Sequence, residues 1–200
     1  MRPDGTRVRD LTAIMQALPH VMPKRYDAQN WAEEYLDEDA IRDYIRAKRR
    51  EGRTVTHMSL LVSAYYRAVL KNPKINYFVM NRRIYKRNHF CFSFVILKTR
   101  ADGTPDETSL KVYLEPEDTV FTVTEKIRST IEQNLNVRHN SNTDRFSRFV
   151  FGVPGLARAV FGLAGFLDRH DLLPKSIIEL SPFHTSLFVT NLASINTPCI

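Results

Sequence analysis

The sequence predicts an α+β domain, a mixed β-sheet flanked by helices, and three observations carry that prediction. Helical periodicity dominates the first third of the chain and returns around residues 122–135. A nearly continuous apolar run, 90–98, has the character of a central strand covered on both faces. Beside it stand a hairpin pattern at 76–85 and an alternating segment at 108–114. The order of helices, hairpin, central strands, helix, helix and strand suits a layered arrangement.

Residues 10–22 place Leu11, Ile14, Met15 and Leu18 at helical spacing, with Pro19 as the stop. Residues 22–28 read as extended. Asp37, Glu38 and Asp39 open the next helix, because acidic side chains favour its positive N-terminal end. Ile41, Tyr44, Ile45 and Lys48 share one of its faces, and Gly52 closes it. A further helix is predicted over 58–71, capped by Thr56 and ended by Asn72-Pro73. Leu60, Leu61, Ala64, Tyr65, Ala68 and Val69 give it a wide apolar face, so it is expected to be largely buried.

The hairpin runs from 76–80 through a turn at Asn81-Arg82 to Ile84-Tyr85. Residues 101–107 form a polar loop, and Leu110, Val112 and Leu114 mark the inner side of the strand that follows. Thr122 and Glu125 have capping-box spacing for a helix with Ile127, Ile131 and Leu135 on one side. Residues 138–145 are polar and read as loose. The apolar stretch 149–167 approaches the roughly 20 residues a membrane span needs. Arg158 in its middle would cost about 2.5–3.5 kcal/mol on insertion, and Pro154 breaks it, so a buried or groove-packed helix is expected and no membrane span. Residues 186–193 form the last strand.

The chain has 200 residues, 43% of them hydrophobic, enough for one sizeable core and a single domain over 1–200. Its formal charge of +7 suits a phosphate-bearing cofactor, a nucleic acid or an anionic membrane face without choosing among them. Cys91 and Cys199 offer neither a disulfide framework nor zinc spacing, and the charged N-terminus has no secretory apolar region. A reducing, cytoplasmic setting is expected.

No metal is expected, since the histidines at 20, 57, 89, 139, 170 and 184 make no HxxH or HExxH pair. No phosphate-binding glycine loop or GxSxG elbow is present either. The basic cluster Arg82-Arg83-Ile84-Tyr85-Lys86-Arg87 reads as a solvated hairpin tip or as a phosphate contact, because guanidinium groups grip phosphate oxygens in pairs. No aromatic interleaving supports a nucleic-acid partner. Thr190 stands in a strand-like run, where its hydroxyl serves either a backbone bond or a developing oxyanion.

Three stretches together resemble one family. HMSLLVSAYYRAVLKNPKINYFVMNRRIYKRN is similar to the helix, proline and hairpin core of 2-oxo-acid dehydrogenase acyltransferase catalytic domains. SPFHTSLFVTNLASI resembles that family's FTITNLGS strand, and MPKRYDAQNWAEEYLDEDAIRDYIRAKR its N-terminal strand and helix. The resemblance covers nearly the whole chain and implies the chloramphenicol acetyltransferase fold. It implies acyl transfer between coenzyme A and a small thiol or hydroxyl acceptor, in a homotrimer, with a histidine base from an HHxxxDG motif. By the same match Thr190 takes the hydroxyl role. HHxxxDG is expected shortly after the 186–193 strand, and no histidine within 1–200 matches it. The resemblance therefore implies an acyltransferase domain lacking that segment and inactive as it stands, or a catalytically silent binding module of the same fold.

Overall fold

The computed structural model describes residues 2–99, 103, 105–135 and 150–190. It is α+β, but its strands form two three-stranded sheets instead of the one expected. The first sheet has the order β1-β3-β2, where β1 is Gly5–Arg7, β2 is Tyr77–Met80 and β3 is Arg83–Arg87. All its pairings are antiparallel. The second has the order β5-β4-β6, where β4 is Phe90–Thr99, β5 is Pro105–Leu114 and β6 is Leu187–Val189. β5 runs antiparallel to β4 and β6 parallel to it. The split has a simple cause: both edges of β4 are occupied by β5 and β6, while β1 takes the free edge of β3.

Local chemistry explains most of the elements. Thr12 caps α1, Ala13–Val21, accepting from the Met15 N–H. Pro19 sits inside this helix and does not stop it; the N–H of Met22 still bonds to Leu18. The stretch expected to be extended contains a 3-10 turn, Arg25–Ala28, where Asp27 accepts the Lys24 N–H at 3.0 Å. Asp37 caps α2, Glu38–Arg50, and the residues after it turn through Gly52 at φ 76. Thr56 and Ser59 cap α3, His57–Lys71, reciprocally. Asn81 and Arg82 take φ values of 49 and 57, the pair of left-handed residues that defines a two-residue hairpin turn matched to strand twist.

The expected Thr122–Glu125 box is displaced. The helix α4 begins earlier, Val120–Leu135, and Thr119 and Thr122 exchange the capping bonds at 2.9 and 3.4 Å. The apolar stretch is divided by a turn at residues 153–155, with Gly155 at φ 83, before α5, Leu156–Arg169. Of the buried or groove-packed helix expected, the buried form is not seen: no residue of α5 is fully buried, and about half are partly covered. Among the described residues, no helix is long and apolar enough to cross a membrane. A short helix, α6, Lys175–Leu180, precedes β6. The residues 138–145 lie outside those described.

The core lies between α3, α4 and one face of the second sheet. Phe90, Phe92 and Phe94 alternate along β4 and meet Leu114, Val112 and Leu110 of β5 in register. Val62, Tyr66 and Val69 of α3 and Val123 and Ile127 of α4 close over them. The buried stripe of α3 is therefore Ser59, Val62, Tyr66 and Val69; of the expected face Val69 is buried and Tyr65 packs partly against the core, while Leu61 is 50% exposed. Ser59 can be buried because its hydroxyl accepts from Thr124 of α4 at 2.8 Å and donates to the Thr56 carbonyl. The other face of β4 is covered only at its start: Cys91 and Ser93 are buried, Val95 and Leu97 exposed. The central strand is thus closed on one face and half open on the other.

Candidate functional site

A cleft of about 820 Å³ opens between α1, the β2–β3 hairpin and the corner where α5 meets residues 183–185. Met15, Leu18 and Phe78 supply apolar walls, and Arg2, Arg87 and His184 the polar ones. Its floor is an ion network that the sequence reading missed. Arg2 is 3% exposed and Asp4 1%. The Arg2 guanidinium donates to Asp4 Oδ1 at 2.8 Å and to Asp168 Oδ1 at 2.7 Å, and to the Asp168 carbonyl at 2.9 Å. Asp4 is also met by Arg87 at 3.5 Å. The ring of Phe78 lies beneath both guanidinium groups, at 5.2 Å from Arg2 and 4.5 Å from Arg87. Asp171 completes the group, accepting from Tyr85 at 3.0 Å.

Charge pairing here overcomes burial. Burial opposes the charge on Arg2, but Asp4 and Asp168 outweigh it and push its pKa above the ordinary value. Burial likewise opposes ionisation of Asp168, yet bonds from His184 and Arg2 hold its carboxyl below the usual range. Arg87 is pulled down by burial, against the attraction of Asp4.

His184 is the one described histidine whose ring reaches a carboxylate: its Nε2 lies 3.2 Å from Asp168 Oδ2. Its Nδ1 is buried with no partner. One ring nitrogen is engaged and the other sealed, so the ring as placed presents neither to a ligand. The backbone carbonyl of His184 accepts from Lys111 at 3.1 Å, which fixes the corner before β6. His89 is pushed down by burial and the nearby Arg87 charge, and its ring packs edge-on against Tyr113. His170 is bonded to the Phe166 carbonyl, while His20 and His57 are exposed. Among the described residues no cluster of acids, histidines and cysteines could hold a metal ion.

Thr190 lies outside this cleft. It follows β6 directly and is exposed, on the same side as Phe188, while Leu187 and Val189 turn to the core. It stands six positions after His184, beyond a bend at 184–186 and the strand β6. The strand expected over 186–193 is seen only as Leu187–Val189, and residues 191–200 lie outside those described, as does His139. The basic cluster is divided: Arg82, Arg83 and Lys86 are exposed, while Ile84, Tyr85 and Arg87 are buried. Only half of it is a solvated tip. The ion network left little local signal in sequence, because Arg2 meets acids more than 160 positions away and Asp4 meets Arg87 across 83 positions.

The chain matches no protein-family model, no curated protein and no solved structure.

Proposed function

We propose that the chain is an acyltransferase-type domain that binds a coenzyme A thioester, with Thr190 as the hydroxyl donor to the transition state. The observation that supports this most directly is the placement of Thr190. β6 joins the central strand in parallel and ends with this hydroxyl exposed at the sheet edge, where a ligand can reach it. In the reaction so read, a thiolate attacks the acyl carbonyl carbon, the C=O π pair moves to oxygen, and the Thr190 O–H donates to that oxyanion. Collapse re-forms the C=O bond and expels the coenzyme A thiolate. The proton of the attacking thiol needs a base. No histidine of the sequence carries the HHxxxDG pattern, and His184 offers no free ring nitrogen. That last observation favours a second reading, a module of the same fold that binds the thioester without transferring its acyl group.

Calorimetry with acetyl-coenzyme A and a transfer assay with a small dithiol separate these. Binding with negligible turnover is expected from the 200 residues, since general-base catalysis is worth ~10²–10⁴-fold. Residual transfer falling by an order of magnitude or more in Thr190→Val, at unchanged melting temperature, supports the hydroxyl role. No binding of acetyl-coenzyme A sinks both readings. Transfer that survives Thr190→Val makes the threonine structural.

A further inference from the structure

We infer that Arg7, Arg9, Arg82 and Arg83 form a binding site for a small anion carrying two phosphate groups, where the end of β1 meets the β2–β3 turn. The site is separate from Thr190 and does not depend on the acyl-transfer reading.

Strand register brings the four together. Arg7 pairs with Tyr85, and the Val8 N–H donates to the Ile84 carbonyl at 3.0 Å, carrying the pairing one step further. Arg9 follows just beyond the end of β1, and Arg7, Arg9 and Arg83 line the same space there. Like charges gathered at one place repel, so this arrangement is unfavourable unless something negative lies between them. Two adjoining clefts, of about 220 and 390 Å³, both have Arg7, Arg9 and Arg83 in their walls. Arg82 and His20 also line the smaller one.

Among the described residues, no ion pair engages any of these four guanidinium groups. Arg2, Arg42, Arg46, Arg87 and Arg128 each have a carboxylate partner. The one acid in the larger cleft, Asp171, is committed to Arg2 and Tyr85. The hairpin turn holds Arg82 at φ 57, a conformation that glycine adopts freely and a long side chain does not.

The guanidinium fork fits phosphate oxygens two at a time, and four forks around two small clefts suit a diphosphate better than a single phosphate. A nucleic-acid strand is disfavoured, because Tyr85, the one Phe, Tyr or Trp side chain in these walls, is buried and offers no base a stacking surface.

Inorganic pyrophosphate, titrated calorimetrically at low salt, is the probe. The chain is expected to bind it, and Arg9→Gln and Arg83→Gln are each expected to weaken binding about tenfold or more, as for lost charge-assisted bonds. Arg128→Gln, on α4, should leave it unchanged. Arg82→Gly is the telling variant: it should weaken binding while raising the melting temperature, because glycine relieves the turn. Absence of pyrophosphate binding overturns the site, as does binding that all the arginine variants share equally. A single-stranded RNA oligonucleotide that binds more tightly than pyrophosphate and is lost in the same variants would also overturn it, in favour of a nucleic-acid surface. Pyrophosphate has neither acyl group nor thiol, so failure of the acyl-transfer reading would leave these results standing.

Discussion

Arg2 and Asp168 meet at 2.7 Å across 166 positions of sequence, and this ion pair fastens the N-terminal segment to α5. The Arg2 side chain is 1% exposed, so the bond is made out of water. Asp4, equally buried, needs the same guanidinium, and His184 needs the same Asp168.

Removing Arg2 should therefore be costly. Arg2→Met keeps much of the volume but leaves Asp4 buried with only the longer Arg87 contact at 3.5 Å. A loss of about 3–5 kcal/mol is expected, the range for breaking a buried ion pair from one side. Urea unfolding at neutral pH measures it; a loss within about 0.5 kcal/mol, typical of surface sites, would show that the network does not hold the fold.

The same network predicts a response to acid. The Asp168 carboxyl is held below its usual range in the folded state, despite burial, by His184 and Arg2. Its contribution is therefore fully present above the unfolded value of about 3.9 and is lost as pH falls through the lower folded value. In Asp168→Asn this component is absent. The stability gap between wild type and variant should stay constant from neutral pH to mildly acidic pH and close only below that point. A gap that closes near neutrality would assign the effect to another group.

Gly5 tests the packing of the first sheet. A Cβ there would stand 2.7 Å from Cε1 and Cζ of Phe78 and 3.2 Å from the Lys86 carbonyl. The Phe78 ring cannot easily yield, since Tyr85 stacks on it and Arg2 and Arg87 flank it. Gly5→Ala should destabilise by about 1–3 kcal/mol, the cost of overpacking. A neutral outcome in thermal unfolding would mean that the ring moves aside.

Two substitutions separate the observed core from the one periodicity suggests. Phe92 is fully buried in the middle of β4, and Phe92→Ala should cost about 3–5 kcal/mol. Leu61, half exposed on α3, should tolerate alanine within about 0.5 kcal/mol. Comparable losses at the two sites would put Leu61 back in the core.

Much of the local structure was legible in the residues. Thr56 caps the helix it was expected to cap, the acidic run from Asp37 opens the helix expected there, and Asn81-Arg82 makes the expected hairpin turn, because these depend on groups within three or four positions. Phe90–Thr99 is central in its sheet, as its apolar run indicated. The phase of α3 was not legible: Ser59 turns inward where its hydroxyl accepts from Thr124, and Tyr66 where its hydroxyl donates to the Leu114 carbonyl, partners on distant elements. Thr190 was singled out by resemblance, and its exposed position at the end of β6 was set by the pairing of β6 with β4.

By itself the sequence determined α2, α3, the β2–β3 hairpin and the strand β4, through side-chain periodicity and capping groups that act over a single turn, but not β1 or the 3-10 turn at Arg25–Ala28. Tertiary structure alone decided that the strands divide into two sheets, because that depends on which edges find partners. It alone brought Arg2, Asp4, Asp168 and His184 into one network. It also brought Arg7, Arg9 and Arg83 into the walls of the same clefts, where the end of β1 meets the β2–β3 turn, through a pairing of β1 with β3 that no short stretch of sequence encodes.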